Sequence, residues 1–471
     1  INFYLSLCFE ITGPLMKPFP YRKTLLSILI SSLSATAFSA QYTSINENKQ
    51  ISGEGPVHEV SDTENTVTGD VNITVTPADP SIHTYPKAII IRGDRSEEIQ
   101  GKTDIAVTLA SEGNPNKSPD SNAAYGIAVG YDYGGNGTKE SILTLKENAT
   151  ITVDNTPGTI LGSMSFSGAT APFGHQLSGI RIHRHNASKS TPIFNSEKQL
   201  NISVEDKTTA KIGDYLTGIY ISGDGAEANL KDSNITVKAN GKHSAALKIG
   251  KPELPNTPKA DDYKGAVINS TGNMVLDTSE TKDSATVRLF GTKSRLIADS
   301  ETSKGTITSG NSAIVFDTGD YATDVTYFLT VPVSRNEPNK DQEVRLNNTK
   351  ISTTSENASL IVANAENVNS PAVSIAGNRV ASWFNNGEFV AENAKFLLKG
   401  AQSEARAANK GWLAETKLAK NKASDLTFTL DNKAKAIGLT HQQSEGLISS
   451  KLDVAIKNGA IWELAPKIDE S

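Results

Sequence analysis

The fold of this chain is decided by two short patterns, which stand close together at residues 218–221 (GIYI) and 234–237 (NITV). In the first pattern a small residue precedes alternating aliphatic residues. In the second, an Asn- or Thr-containing run carries an aliphatic residue at every second position. A period of two indicates a β-strand with one buried face. Both segments are therefore predicted to be short strands.

Both patterns recur along the chain. The small-aliphatic pattern also occupies residues 87–91, 126–129, 179–182, 246–249, 286–289, 313–316 and 360–362, and the Asn/Thr pattern residues 71–75, 151–153, 200–204, 273–276, 305–308 and 426–430. Turn-forming residues such as Asn347 and Asn348 separate the runs. Short, loosely repeated strands of this kind predict a sandwich, a propeller or a solenoid.

Composition favours the solenoid. Hydrophobic residues make up 37% of the 471 residues and aromatic residues 6%. Separate sandwich cores need more large apolar side chains, whereas each coil of a parallel β-helix needs only a few inward aliphatic residues stacked on those of its neighbours. The sequence therefore predicts an all-β, single-stranded parallel β-helix (a β-solenoid) with irregular loop insertions. We expect one or two coils of about 20–25 residues between successive small-aliphatic segments.

The inserted loops are predicted from composition. Residues 111–123, 251–264 and 332–342 are rich in polar residues and Pro, and residues 156–178 are rich in Gly, Ser and Pro. Binding residues concentrate on loops of this kind. The Ala/Lys/Glu-rich segment 391–424 is also compatible with a helix.

Charge and motifs exclude several functional classes. A net charge of −6 argues against nucleic-acid binding through a basic face. The one cysteine is Cys8, so residues after Met16 carry no disulfide and no thiolate zinc site. The sequence also lacks Gly-Asp-Ser-Gly, Gly-x-Ser-x-Gly, Walker and His-Glu-x-x-His motifs. We therefore predict no catalytic residues, no cofactor and no metal, and a non-enzymatic protein.

Residues 16–40 have the layout of a secretory signal peptide. A basic region at 17–23 precedes an apolar run at 25–30 and then small residues. The apolar run is far shorter than the roughly 18–20 residues that span a bilayer. We expect residues 1–40 to comprise upstream residues and a signal peptide from Met16 to Ala40, which the Sec export machinery reads. Cleavage is expected after Ala37 or Ala40.

The sequence near the C-terminus predicts two β-strands joined by a turn. Residues 452–456 alternate, Asn458 and Gly459 form a turn, and a second alternating run begins at Ala460. We expect the indole of Trp462 to cover the open end of the stacked core, because solenoids require a cap at each terminus. The motif consists of Leu452, Val454, Gly459, Ala460, Trp462 and Leu464. With the preceding run at 435–440, it resembles the pertactin-like C-terminal passenger segment of classical autotransporters (type V secretion).

This resemblance implies a right-handed β-helical passenger. Such a passenger crosses the periplasm to the cell surface, outer membrane or extracellular space of a Gram-negative bacterium. Residues 41–390 would form its body, and residues 391–471 an autochaperone-like folding nucleus. The family's outer-membrane β-barrel translocator is absent up to Ser471. We expect it either beyond a truncation or in a separate polypeptide.

Two further clusters are candidate sites. Arg92, Gly93 and Asp94 form the integrin-recognition tripeptide at the end of a predicted strand, where a plain Gly turn is the preferred interpretation and integrin binding is the alternative. His183 and His185 stand two residues apart on one side of a strand end, which suits a metal or a solvated basic strand end. The solvated strand end is the preferred interpretation.

Three functions remain open from the sequence. The first is an adhesin or cell-interaction protein that binds a host-cell receptor, a glycan or its own copies. The second, by analogy with pectate-lyase-like β-helices, is a polysaccharide-degrading enzyme. Its carboxylate candidates are Asp224, Asp261 and Asp262, which lie in turn- or loop-like stretches. The third is a structural stalk or autoaggregation module.

Overall fold

The computed structural model describes most of the chain from residue 40 to residue 465. The described ranges are 40–51, 54–60, 63–78, 85–109, 123–130, 140–155, 163–166, 169–172, 176–183, 191–207, 216–239, 244–250, 263–282, 284–318, 339–368 and 387–465. The described residues all belong to one compact unit. Most of the predicted signal peptide and the expected cleavage site after Ala37 therefore lie outside the described residues, whereas Ala40, the other expected cleavage site, is the first residue of a strand.

Every described element is a β-strand, and the long sheets are built from parallel pairs stacked coil on coil. Each coil runs through three faces. Face 1 comprises β1 (Ala40–Tyr42), β4 (Glu64–Val67), β7 (Ser96–Ile99), β10 (Ser141–Leu145), the first parts of β15 (Pro192–Glu205) and β17 (Glu227–Lys238), β19 (Val267–Ser270), β22 (Arg295–Ala298), β26 (Glu343–Asn347), β31 (Ala394–Lys399), β36 (Asp425–Asp431) and β41 (Lys451–Ile456).

Face 2 follows face 1 after a corner in each coil. It comprises β2 (Ile45–Ile51), β5 (Val71–Pro77), β8 (Thr103–Leu109), β11 (Ala149–Asn155), the second parts of β15 and β17, β20 (Asn273–Thr278), β23 (Lys304–Ser309), β27 (Thr349–Thr353), β32 (Glu404–Arg406), β37 (Lys435–Ile437) and β42 (Ile461–Glu463). Faces 1 and 2 together make a 22-stranded sheet, because β15 and β17 run through both.

Face 3 is an 11-stranded parallel sheet. It comprises β3 (Glu54–Val60), β6 (Tyr85–Ile91), β9 (Ala123–Val129), β14 (Gln176–His183), β16 (Leu216–Ser222), β18 (Ala245–Ile249), β21 (Val287–Leu289), β24 (Ile314–Phe316), β28 (Ile361–Ala363), β33 (Ala414–Thr416) and β38 (Thr440–Gln442). The remaining strands are short side pairings: β12 (Ser163–Phe166), β13 (Ala169–Pro172), β25 (Asn339–Lys340), β29 (Ala365–Val368), β30 (Gly387–Glu392), β34 (Leu418–Ala419), β35 (Lys422–Ala423), β39 (Ser444–Glu445) and β40 (Ile448–Ser449).

The parallel β-helix expected from the sequence is confirmed. All the small-aliphatic segments lie on face 3, and all the Asn/Thr segments lie on face 2 except residues 426–430, which lie on face 1. Successive small-aliphatic segments pair directly as neighbouring face 3 strands, so they are one coil apart. The predicted alternative of two coils between them is wrong. Coil length varies through the loops: stacked partners are 26 residues apart at Asn46 and Asn72 and 54 apart at Thr349 and Ser403.

The core is a thin aliphatic column. On face 2, Ile105, Ile151, Ile202 and Ile235 stack directly on one another and are almost fully buried. Burying each such side chain contributes roughly 1.5–3 kcal/mol. Face 1 continues the column with stacked rings at Phe396 and Phe428, whose centroids are 5.1 Å apart.

A column of small residues lets faces 2 and 3 approach each other. Gly126, Gly179 and Gly218 lie in successive face 3 strands, and a Cβ at each would overlap an isoleucine side chain of face 2. At these three positions, glycine is therefore a steric requirement for the packing of face 3 on face 2.

Residues 391–424 form strands, so the helix alternative is wrong. β31 pairs in parallel with β26 and β36, and its burial alternates along the strand. Tertiary pairing therefore prevails over the helix propensity of Ala, Lys and Glu. The predicted loops 111–123 and 251–264 lie mostly outside the described residues. In the part of the chain that the structure describes, no helix is long and apolar enough to cross a membrane.

Candidate binding face

The outer side of face 3 carries a column of alternating cations and aromatic rings. Arg181, Tyr220 and Lys248 occupy the same register position in successive strands. The Arg181 guanidinium carbon lies 5.1 Å from the ring centroid of Tyr125 and 5.4 Å from that of Tyr220. Lys248 Nζ lies 4.9 Å from the Tyr220 centroid, and Lys87 Nζ lies 5.9 Å from the Tyr125 centroid. These separations are those of cation–π contacts.

The column continues into the next coils. Lys248 Nζ also lies 5.0 Å from the ring centroid of Phe290, and the Arg288 guanidinium carbon lies 5.1 Å from the same centroid. Phe290 is fully buried and Lys248 is only 5% exposed. A cation–π contact contributes about 0.5–1 kcal/mol at an exposed site and about 2 kcal/mol when it is desolvated. The column therefore ties neighbouring coils together on the outside, as the isoleucine column does on the inside.

A buried ion pair ends the column. Arg288 donates to Oδ2 of Asp317 through Nε (3.0 Å) and Nη2 (2.5 Å), while Asn364 Nδ2 and the Thr318 N–H donate to Oδ1 at 3.0 and 2.8 Å. Burial alone raises the pKa of Asp317. The Arg288 charge and these hydrogen bonds outweigh burial and hold that pKa below its usual value. Asp317 is thus a fixed carboxylate that neutralises the end of the cationic column.

Sequence reasoning missed this column, although a signal for it exists. In the segments that begin at residues 179, 218, 246 and 286, the third residue points outward, and it is Arg181, Tyr220, Lys248 and Arg288 in turn. The prediction of strands from this pattern uses only its inward aliphatic residues. Alignment of these segments as stacked strands therefore shows that their outward charged and aromatic residues are neighbours.

The Arg-Gly-Asp tripeptide forms the turn between β6 and β7. All three residues are partly exposed, and Asp94 has a left-handed backbone with φ 62°. Arg92 Nε donates to the Glu59 carboxylate of the preceding coil. That hydrogen bond lowers the pKa of Glu59 against the opposing effect of burial. The Arg92 side chain is thus held toward face 3 by Glu59.

The C-terminal motif forms the last coil. Leu452 and Val454 lie on β41, where Val454 is opposite Phe428 of the preceding coil. Trp462 on β42 is opposite Ala436, packs against the core and donates its Nε1–H to the Gly438 carbonyl at 2.8 Å. The indole therefore covers core side chains at the end of the stack.

The corner of this coil has the backbone that an Asn-Gly turn requires. Asn458 and Gly459 both have positive φ, 49° and 75°. Asn458 Nδ2 donates to Asp431 Oδ1 at 2.6 Å, which ties the turn to the coil before. Ala460 packs against the core, whereas Leu464 is 69% exposed after β42.

The other predicted candidates do not gather into one site within the described residues. His183 Nδ1 and Ser222 Oγ are 2.7 Å apart, and Ser222 is fully buried. Asp224 Oδ1 accepts the Lys264 N–H at 2.8 Å in a turn. His185, Asp261 and Asp262 lie outside the described residues. Over the described ranges, no three His, Cys, Asp or Glu side chains are placed to hold a metal ion.

Comparison of this chain with protein-family models, with curated proteins and with solved structures finds no match.

Proposed function

We propose that this chain is an exported bacterial passenger of the autotransporter type, which acts as a non-enzymatic adhesin or cell-interaction protein. The observation that carries the proposal is the terminal coil, in which Trp462 covers the end of a long parallel β-helix at the position that the passenger-like motif implies. Parallel coils without disulfides suit a chain that is exported unfolded. Such a spine also presents loops and outer faces over many coils, so that binding is spread over many contacts.

The proposed partners follow from this role. The Sec machinery would export the chain, and an outer-membrane β-barrel, either its own or separate, would carry it to the cell surface. A host-cell receptor, a glycan or a second copy would then bind along the spine. The turn at Arg92, Gly93 and Asp94 is the proposed contact for an integrin-type receptor, since it is partly exposed between two coils.

Surface display tests the proposal. Residues 41–471 are fused to a heterologous autotransporter barrel in a non-adherent Gram-negative strain, and attachment to integrin-bearing epithelial cells is counted. We expect attachment above the barrel-only control, and a measurable reduction of that gain in Asp94→Glu, because the longer side chain displaces the carboxylate of one contact among many. Asp104→Glu on face 2 is the matched control.

Two outcomes would contradict this function. Release of reducing ends from pectin or alginate by the purified chain, without attachment by displaying cells, would favour the polysaccharide-degrading enzyme. Clumping of the displaying cells with no attachment to host cells would favour the stalk or autoaggregation module. Attachment that is unaffected by Asp94→Glu would remove the integrin contact from the proposal.

A further inference from the structure

The C-terminal end of face 3 carries a second outward cluster, distinct from the cationic column. Glu415 on β33 lies directly opposite His441 on β38, and both side chains are partly exposed. The Trp412 ring stacks on the His441 ring with centroids 4.8 Å apart and an interplanar angle of 13°. The stacked ring pair and the Glu415 carboxylate therefore lie side by side on the outer side of face 3, and Trp412 is partly exposed.

Neighbouring coils fix the Glu415 carboxylate. Ser359 Oγ donates to Oε2 at 2.7 Å, and Gln443 Nε2 donates to Oε1 at 3.2 Å. A carboxylate accepts about four hydrogen bonds, so each oxygen retains capacity for a further donor. The acceptor is thus oriented before any ligand arrives, which reduces the ordering cost of binding.

The chemistry of this cluster fits a pyranose ring. One side of such a ring presents C–H groups that pack on an aromatic face, while its rim presents hydroxyl groups that donate to carboxylates and exchange hydrogen bonds with amides and imidazoles. Binding sites of this kind combine aromatic surface with a few convergent polar groups. The negative charge of Glu415 disfavours uronates, because like charges repel at short range. Neutral sugars are therefore the matching class.

We propose that Trp412, Glu415 and His441 form a binding subsite for one or two pyranose units of a neutral glycan, with Ser359 and Gln443 as positioning residues. Because neighbouring strands lie about 4.8 Å apart, a glycan running along the helix axis meets a new strand roughly once per sugar unit. The inference rests on the proposed function in that it names a place and a sugar class for the glycan partner. The subsite itself requires neither export nor surface display, so its failure and that of the proposed function are measured separately.

The experiment measures oligosaccharide binding by the purified chain. Cellotetraose and chitotetraose are the neutral probes and tetragalacturonate the charged one. Binding is followed by saturation-transfer NMR and by intrinsic Trp fluorescence. We expect saturable binding of at least one neutral probe in the millimolar range or tighter, and association at least about tenfold weaker in Trp412→Ala. Trp412→Phe keeps an aromatic face and retains most of the binding, as does Lys350→Ala on face 2.

A variant of Glu415 without the negative charge tests whether that charge determines which glycan binds. Glu415→Gln keeps the shape and a hydrogen-bonding oxygen but removes the charge, so tetragalacturonate should gain affinity relative to the neutral probes. Absence of saturable binding of both neutral probes up to about 10 mM would overturn the proposal. It would equally be overturned by unchanged binding in Trp412→Ala, or by a preference of the unaltered chain for tetragalacturonate. Circular dichroism confirms that each variant remains folded.

Discussion

At the scale of single residues, Asp317 is the carboxylate on which the outer column most depends. Its side chain is 5% exposed and its partner Arg288 is 12% exposed, so removal of the carboxylate takes a charged hydrogen-bond partner away from a largely buried guanidinium. We expect Asp317→Ala to lower the free energy of unfolding by about 3–5 kcal/mol. Urea unfolding measures the change, with the exposed Asp104→Ala as control. Equal stability of the two variants would show that the ion pair is dispensable.

The same residue gives a pH dependence. Because the pKa of Asp317 is lowered in the folded chain, its contribution to stability is fully present above the pKa of the unfolded state. That contribution is lost as the pH falls through the folded pKa. The difference in stability between the unaltered chain and Asp317→Ala should therefore shrink in acid. A difference that stays constant from pH 7 to strongly acidic pH would contradict the assignment.

Asp425 is expected to behave in the opposite way. Burial raises the pKa of Asp425, and the Asn393 backbone N–H, which donates to Oδ1 at 2.6 Å, offsets only part of this effect. The charged form thus carries a penalty above the folded pKa, which disappears as the pH falls through that value. Asp425→Asn keeps an oxygen for the Asn393 N–H, and we expect equal or higher stability at pH 7. Thermal unfolding would reveal a lower midpoint if the negative charge were required.

At the scale of elements, the packing of face 3 on face 2 depends on the glycine column of face 3. A Cβ at Gly179 would overlap the Ile202 side chain and approach the Gly218 carbonyl oxygen at 2.8 Å. We expect Gly179→Ala to destabilise the chain by about 1–3 kcal/mol. In a double-mutant cycle, the cost should fall when Ile202→Ala is also present. If the effects of the two substitutions on stability were additive, the cost of Gly179→Ala would not come from its contact with Ile202.

Most strands of faces 2 and 3 can be predicted from the sequence, because their inward aliphatic residues repeat with a period of two. Face 1 was largely missed, since its inward column is mixed: buried Asn65 and Glu97 are followed by Leu143 and Phe194. The candidate sites were harder still. Trp412 and His441 are in contact only because two coils stack. The loops between coils vary in length, so the periodicity of the sequence does not show which outward residues become neighbours.

At the scale of the whole molecule, the last coil closes the core. Trp462→Ala removes the packed indole and its hydrogen bond to the Gly438 carbonyl. We expect it to lower stability by about 2–4 kcal/mol and to slow refolding of the upstream coils, if this coil is the folding nucleus that the passenger motif implies. Trp462→Phe should lose much less. Refolding from urea, followed by protease resistance, measures both effects, and an unchanged refolding rate in Trp462→Ala would contradict that role.

The central claim is that successive coils stack in this register along one axis, and engineered disulfides test it most directly. Asn195 and Asn229 are 34 residues apart but directly stacked, with Nδ2 of Asn229 donating to Oδ1 of Asn195 at 3.0 Å. Residues 41–471 contain no cysteine, so introduced pairs have no competitor. Asn195→Cys with Asn229→Cys should form a disulfide under mild oxidation. Asn195→Cys with Asn201→Cys, close in sequence but on different faces, should not. Cross-linking of the second pair and not the first would contradict the stacked helix.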